Sequence, residues 1–136
     1  MKKINVFEKN NTDLEVFNDN RGTIADVFYN HPINHVAIIS SEPNVIRGNH
    51  YHKETTQHML MTKGSLEYWY KDFGSDEPAK MYVAKVGDLV STKPFEIHGL
   101  RICAEGNEFI VFSEGLRGGK DYESDTYRVE SIIDDK

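Results

Sequence analysis

Residues 47–64 carry the side chains best suited to chemistry, and they read RGNHYHKETTQHMLMTKG. The pattern predicts a strand, a turn and another strand. Successive side chains of a strand alternate between faces, so if His50, His52 and Gln57 face inward, His58 faces outward. A single strand histidine is usually a polar group near a rim, but a pair on one face favours a shared site. Because imidazoles bind metals and accept protons near neutral pH, we expect one of these two chemistries.

The elements that position these residues are typical of an all-β protein. Short runs rich in Val, Ile, Tyr, Phe and Thr alternate with turn residues, and no long 3.6-residue pattern persists. So many short strands favour a double-sheet jelly roll or a small barrel, which covers both faces and protects strand edges. The predicted strands span residues 4–8, 14–17, 23–29, 34–41, 44–52, 56–62, 65–71, 80–85, 88–92, 97–103 and 107–114.

Chain length and composition predict a single domain. The chain has 136 residues, of which 38% are hydrophobic and 28% charged, an ordinary globular composition. We expect one domain over residues 1–136, with its core at about 20–115 and a polar C-terminal arm at 116–136. Near the end of this arm, the segment YRVESII is expected either to stay on the surface or to pack back as a last strand or short helix.

Charge and composition argue against several classes of partner. A net charge of -6 without any Lys/Arg cluster is unsuited to tracking a nucleic-acid backbone. No stretch approaches the ~20 apolar residues of a membrane helix, and no secretory signal is evident, so we expect a cytoplasmic protein. Cys103 is the only cysteine, which excludes an internal disulfide. A small anionic ligand is compatible with this charge, because one or two arginines such as Arg21 and Arg47 can bind a phosphate.

The spacing of the first segment resembles the first motif of the cupin superfamily. That motif is matched in order by His50, His52, Gln57 and Gly64. A second segment, GDLVSTKPFEIHGL, resembles the second cupin motif and is matched by Gly87, Pro94 and His98. The resemblance covers about residues 20–115 and implies a double-stranded β-helix, the RmlC-like cupin jelly roll.

The cupin resemblance also implies a metal site whose ligands would be His50, His52, Gln57 and His98. Three imidazoles and an amide oxygen can hold Zn, Fe, Ni or Mn. In metal-binding cupins a glutamate usually occupies the position of Gln57. Replacing that carboxylate by the Gln57 amide removes a negative charge from the ligand set, which should weaken the affinity for the metal while leaving the metal a stronger Lewis acid. The alternative is a metal-free cupin in which the same polar cluster contacts the substrate directly.

Two further segments narrow the resemblance within the superfamily. DNRGTIADVF, residues 19–28, taken with VIRGNHYH, residues 45–52, resembles the dTDP-4-dehydrorhamnose 3,5-epimerases. By that resemblance the nucleotide diphosphate would be bound by Arg21, Asp26 and Arg47, and His50 would be the catalytic base. The chain departs from the epimerases in NEFIVFSE, where Phe109 and Phe112 stand in the region of their partner tyrosine.

The run HxHKxxxQ is also similar to the dTDP-sugar 3,4-ketoisomerases, in which paired histidines, here His50 and His52, move protons. These enzymes typically lack a histidine like His98. RGNHYHK is similar, in addition, to the cupin half of bifunctional capsule-precursor enzymes. All three resemblances imply a cupin that acts on a nucleotide-activated keto-deoxysugar in surface polysaccharide biosynthesis. They also imply a homodimer.

Alternatives from other classes stay open. A metal-dependent cupin of another class, such as a dioxygenase, and a non-catalytic sugar-binding or small-molecule-binding module both fit the same motifs. If His50 binds a metal it cannot be the base, because coordination occupies the lone pair that would accept the proton. Another base would then be needed, and Tyr68, Tyr70 and Tyr82 qualify only if they face the cavity; aromatic packing is their alternative role. His31 and His35, which flank a proline, are interpreted as polar loop residues.

Overall fold

The structure is a computed structural model that describes residues 1–115 and 124–134. Val, Ile, Tyr, Phe and Thr are concentrated in short strands that turn residues separate. These strands are β1 (Lys2–Asn5), β2 (Val16–Asp19), β3 (Gly22–Ala25), β4 (His35–Ser41), β5 (Ile46–Tyr51), β6 (Thr56–Lys63), β7 (Leu66–Asp72), β8 (Lys80–Ala84), β9 (Asp88–Thr92), β10 (Glu96–Ile102), β11 (Asn107–Glu114) and β12 (Tyr127–Arg128).

The strands form two five-stranded antiparallel sheets and one separate hairpin. Sheet I has the order β1-β9-β6-β11-β4, sheet II has the order β12-β5-β10-β7-β8, and β2 pairs with β3. Consecutive strands β5 and β6 lie in different sheets, as do β9 and β10, so the chain crosses repeatedly between the layers. This arrangement confirms the predicted all-β cupin jelly roll.

The core lies between the inner faces of the two sheets. Along β11 the buried residues alternate with half-buried ones, which places Phe109 and Val111 in the core. Met61 and Val90 from sheet I meet Tyr68 and other residues of sheet II in the same cluster. Burying a large apolar side chain stabilises the fold by about 1.5–3 kcal/mol, so this double layer is what holds the site-bearing strands in place.

The strand predictions agree with the structure except at the N-terminal side. The strand predicted at 23–29 ends at Ala25. Asp26 still bonds to Glu15 across the hairpin, because its backbone N–H donates to the Glu15 carbonyl at 2.9 Å and its carboxylate accepts from the Glu15 N–H at 3.0 Å. Residues 27–34 then leave the hairpin, and Phe28 packs on the outer face of sheet I against Phe112, with ring centroids 4.9 Å apart. The prediction that the strand beginning at residue 23 continues over residues 27–29 was therefore wrong.

The C-terminal arm returns to sheet II. Tyr127 and Arg128 pair with Tyr51 and His50 of β5, which confirms a last strand within YRVESII. Residues 116–123 and 135–136 of the predicted arm lie outside the described residues. The single-domain boundaries stay a prediction. In the part of the chain that the structure describes, no helix has the length and apolar character required to cross a membrane.

Candidate active site

The imidazoles of the two cupin-like motifs meet between β5 and β10. These strands pair antiparallel, with His98 directly opposite His50. The ring centroid of His50 lies 4.6 Å from that of His98 and 4.9 Å from that of His52, and the His52 and His98 centroids are 5.5 Å apart. One potential ligand atom from each ring lies within 4.8 Å of the others. The predicted convergence of these three side chains is therefore present.

Backbone carbonyls orient two of the three rings. His52 Nδ1 lies 2.9 Å from the carbonyl oxygen of Asp125, and His98 Nδ1 lies 3.2 Å from that of Glu96. A carbonyl only accepts hydrogen bonds, so Nδ1 of a neutral ring is the N–H donor in both cases. The lone pair then resides on Nε2. Both rings accordingly offer an acceptor to the site rather than a donor.

Burial keeps these two rings neutral. Desolvation lowers the pKa of His98 to about 3, with a further lowering from the neighbouring His50 and His52. Desolvation also lowers the pKa of His52, against the opposing effect of the hydrogen bonds to Asp125 and Gln57. His98 is 4% exposed and His52 is 1% exposed. Both rings are therefore uncharged at neutral pH, which is the form in which an imidazole binds a metal ion.

A cavity of about 370 Å³ opens beside this cluster between the two sheets. Its apolar wall comes from both sheets and includes Met59, Leu100, Phe109 and Val111. Its polar lining consists of His35, Arg47, His50, Gln57, His98 and Ser113. An apolar cavity with a few convergent polar groups is the usual form of a small-molecule site. His35, interpreted from the sequence as a loop residue, lies on β4 and belongs to this lining.

Four of the predicted site residues surround the cavity directly, and one lies just behind it. The lining includes His50, Gln57, His98 and Arg47. His52 is not part of the lining, but its ring lies beside those of His50 and His98. The exposed Arg47 is tethered by hydrogen bonds from Nε to Ser41 Oγ at 2.8 Å and from a terminal nitrogen to the Ser40 carbonyl at 3.1 Å. Its guanidinium is thus held on the wall of the cavity with its positive charge accessible.

The structure does not bring Arg21 and Asp26 to this cavity. Arg21 lies at the tip of the β2–β3 hairpin, with its side chain 81% exposed and paired to Asp19. Asp26 is engaged with the backbone of Glu15 at the other end of the hairpin. Neither contributes to the lining among the described residues. Their predicted role in binding a nucleotide diphosphate stays a prediction.

The tyrosines considered as alternative bases serve packing roles. Tyr68 is fully buried, contacts the Thr92 hydroxyl and donates to Glu96 Oε1 at 2.9 Å, and burial followed by the Glu96 charge raises its pKa well above 10. Tyr82 donates to Asp88 at 2.6 Å, and burial together with this bond raises its pKa to about 12. Neither tyrosine, nor Tyr70, belongs to the cavity lining.

Asp125 is a residue of this site that the sequence did not single out. Its carbonyl orients His52, and its carboxylate accepts hydrogen bonds from the backbone N–H groups of Lys53, Glu54 and Thr55 and from the Thr55 hydroxyl. The carboxylate therefore caps the turn between β5 and β6. No local pattern marks Asp125, because its partners lie about seventy residues earlier in the chain.

Gly48 allows β5 and β10 to approach closely enough for the histidines to meet. It has φ +81°, and a Cβ at this position would lie 2.9 Å from the backbone oxygen of His98. Gly74 has the same φ of +81° but open space around it, so it provides a matched control. A non-glycine residue in this conformation costs about 1–2 kcal/mol by itself.

We expect Gly74→Ala to lower the free energy of unfolding by only that conformational cost. Gly48→Ala should lower it by about 3 kcal/mol, since this substitution also forces the strands apart. Urea unfolding of the two variants measures the difference. Equal losses would show that the close approach at Gly48 contributes nothing to stability.

Comparisons with known proteins agree with this fold. The family model described as polysaccharide biosynthesis C-terminal domain matches residues 17–114. No curated protein matches the chain in sequence. Among solved structures, a 3,4-ketoisomerase from Helicobacter canadensis superimposes with a TM-score of 0.73 at 21% identity, covering 94% of this chain and 90% of the other.

Two further structures are similar. A dTDP-4-dehydrorhamnose 3,5-epimerase from Sulfolobus tokodaii has a TM-score of 0.69 at 22% identity, with 88% of this chain and 76% of that chain covered. The capsular polysaccharide assembling protein CapF from Staphylococcus aureus has a TM-score of 0.61 at 21% identity, with 88% and 33% covered. At these identities the similarity establishes the RmlC-like fold.

Proposed function

This chain belongs to the polysaccharide biosynthesis C-terminal domain family, and from that premise we propose that it is an enzyme acting on a nucleotide-activated keto-deoxysugar, either as an epimerase or as a ketoisomerase. The observation that carries the proposal is the meeting of His50, His52 and His98 beside a cavity with an arginine on its wall. The structural similarity to a 3,4-ketoisomerase and to a dTDP-4-dehydrorhamnose 3,5-epimerase supports the kind of reaction.

The cavity suits a sugar ring with a charged substituent. Its walls are mainly apolar, and both sheets contribute polar side chains to them. The Arg47 guanidinium is positioned to bind an anionic oxygen, because arginine forms strong charge-assisted hydrogen bonds to phosphates. A nucleotide diphosphate would therefore bind from the Arg47 side with the sugar pointing towards His50.

Proton transfer in this site would begin at His50. A keto group acidifies the C–H bonds of the adjacent sugar carbons, and an imidazole is well matched to accept such a proton. His50 is half-buried and lines the cavity, whereas His52 lies behind it. Return of the proton to the opposite face of the same carbon gives an epimer. Its return to the former carbonyl carbon gives an isomer, provided that the adjacent hydroxyl passes its proton to the former keto oxygen and becomes the new carbonyl.

The enolate oxygen formed in this step needs a donor or a cation. With Nδ1–H donated to a carbonyl, neutral His52 and His98 present only lone pairs and cannot donate to that oxygen. In the metal-free form the side-chain donors on the cavity wall include the Gln57 amide, the Ser113 hydroxyl and the Arg47 guanidinium. Stabilisation of a developing negative charge by such donors is a major part of catalysis.

The same lone pairs favour a metal-dependent form as the second candidate. Three imidazoles whose ligand atoms lie within 4.8 Å of one another, with the Gln57 amide beside them, suit a divalent ion such as Zn, Ni, Fe or Mn. His50, His52, Gln57 and His98 would then hold the ion, which would act as a Lewis acid on the keto oxygen. His50 would no longer be a free base in this form.

Deuterium exchange tests the proposal directly. The protein is incubated in deuterated water with a dTDP-4-keto-6-deoxysugar, and the ring protons are followed by NMR. We expect exchange at a carbon adjacent to the keto group above the enzyme-free rate. If the ligand bound but neither deuterium exchange nor product appeared, the protein would be interpreted as a sugar-binding module instead of an enzyme.

Elemental analysis of the purified protein tests the metal candidate. Iron bound in stoichiometric amount, with oxygen consumed in the presence of a small-molecule substrate, would favour a cupin of the dioxygenase class. Exchange that survives complete removal of metal by a chelator would support the metal-free mechanism.

A further inference from the structure

A second cluster of metal-binding side chains lies on the outer face of sheet I, away from the cavity. His58 of β6 faces outward, as the strand alternation predicted, but it is only 7% exposed. Its Nε2 lies 2.6 Å from Glu114 Oε2, and the Nε2 of His31 lies 2.8 Å from the same oxygen. The three side chains offer ligand atoms that all lie within 4.8 Å of one another. His31 thus has a specific partner and is not merely a polar loop residue.

Three separate parts of the chain supply this cluster. Glu114 is the last residue of β11, and the register places Phe112 of that strand opposite His58. His31 arrives from residues 26–34, which connect the hairpin to β4 and cross this face of the sheet. Phe28 of the same segment packs against both imidazoles, with centroids 5.1 Å from each ring. The cluster therefore has an apolar cover on one side.

Ser91 orients the buried member of the cluster. It is the register partner of His58 on β9, and its Oγ lies 2.6 Å from His58 Nδ1. When Nδ1–H donates to Ser91, Nε2 carries a lone pair that faces a carboxylate oxygen. Two lone-pair-bearing atoms at this distance repel each other, and a metal ion or a proton between them removes the repulsion. A hydrogen-bonded second nitrogen is also the usual arrangement of a metal-binding histidine.

From this geometry we propose that His31, His58 and Glu114 bind a divalent transition-metal ion, with zinc as the best-suited ion. Two imidazole nitrogens and one carboxylate form a common three-residue ligand set for zinc, with water completing the tetrahedron. His31 is 37% exposed, and a cavity of about 310 Å³ adjoins the cluster, so ions and water have an access route. The ligand atoms need to shift only slightly to reach bonding distance around a central ion.

The ion would fasten residues 26–34 to the outside of sheet I. Two of the ligands directly follow residues that line the cavity. His58 follows Gln57 and Glu114 follows Ser113, and each pair lies on opposite faces of one strand. The role of this outer site is structural and does not depend on the proposed enzymatic function.

Hydrogen exchange provides the main test, on the full chain with Zn²⁺ as the probe. Adding Zn²⁺ to the metal-free protein should slow amide exchange in residues 26–34, and the His31→Gln variant should lose this effect. His31 is the most exposed of the three ligands, so its replacement is the least disruptive to folding. The matched control is His35→Gln, a nearby histidine outside the cluster, which should retain the effect. No slowing in the unsubstituted chain, or the same slowing in His31→Gln, would overturn the proposal.

Affinity measurements separate this site from the imidazoles of the cavity. In a His50→Gln/His98→Gln background, titration with Zn²⁺ should still show one ion bound per chain. Ser91→Ala should weaken that binding by about 10–100-fold, the effect expected when a metal-bound histidine loses its orienting partner. Glu114→Gln should weaken it further, because a charged ligand is lost. Absence of zinc binding in a folded background variant, or indifference to both substitutions, would show that a proton rather than a metal holds the cluster together.

Discussion

Replacing His50 by glutamine is expected to lower the rate of deuterium exchange into the keto-sugar by about 10²–10⁴-fold, the usual contribution of a general base. Glutamine keeps a polar side chain on β5 but cannot accept the proton. His50 is the ring that both lines the cavity and contacts His52 and His98, so its removal eliminates the acceptor without exposing the core. NMR of the ring protons under single-turnover conditions measures the change.

His35 supplies the matched control for this experiment. It lines the same cavity from β4, on the opposite sheet, and the ring contacts of the described residues join His50, His52 and His98 without including it. His35→Gln should therefore keep the exchange rate within about tenfold of the unsubstituted protein. If His35→Gln abolished exchange while His50→Gln retained it, the base would have to be assigned to the other sheet.

A large loss of stability is expected for Asp125→Ala. The carboxylate is 2% exposed and accepts hydrogen bonds from three backbone N–H groups and one hydroxyl of the β5–β6 turn. Removing it leaves the buried donors of Thr55 without an acceptor, at a cost of about 3 kcal/mol in the free energy of unfolding. It also frees the carbonyl that orients His52, so deuterium exchange should fall in the same variant.

Urea unfolding measures the stability change, and Asp76→Ala serves as its control. Asp76 lies exposed in the β7–β8 loop, where substitution should change stability by less than about 0.5 kcal/mol. An Asp125→Ala variant as stable as Asp76→Ala would show that the C-terminal segment is not anchored through this carboxylate.

The pH dependence of the Asp125 contribution has a defined sign. Burial raises the pKa of Asp125, but the hydrogen bonds from Lys53, Thr55 and Glu54 outweigh burial and lower it below its ordinary value. A group whose pKa is lower in the folded state stabilises the fold above its unfolded pKa, near ~4. That stability is lost as the pH falls through the folded pKa. The stability difference between the unsubstituted protein and Asp125→Asn should therefore be full near neutral pH and shrink steadily below about pH 4.

Residues close in the sequence allowed the strands and the first half of the site to be predicted. The period-2 alternation within residues 56–62 correctly separated Gln57 from His58 onto opposite faces, because side-chain direction in a strand is a local property. The cupin-like spacing indicated the same fold that the sheets have. The end of the third strand at Ala25 was missed because residues 27–29 continue its apolar pattern, whereas they leave the hairpin and place Phe28 on the outer face of sheet I.

The sequence by itself thus determined the succession of strands along the chain, the shared face of the paired histidines and the kind of fold. Only the tertiary structure decided that His98 lies opposite His50, that Asp125 orients His52, and that His31 and Glu114 meet although 83 positions separate them. The reason is that such meetings depend on which strands become neighbours and in what register. Both are set by packing of the whole double layer, and periodicity within one strand carries no information about either.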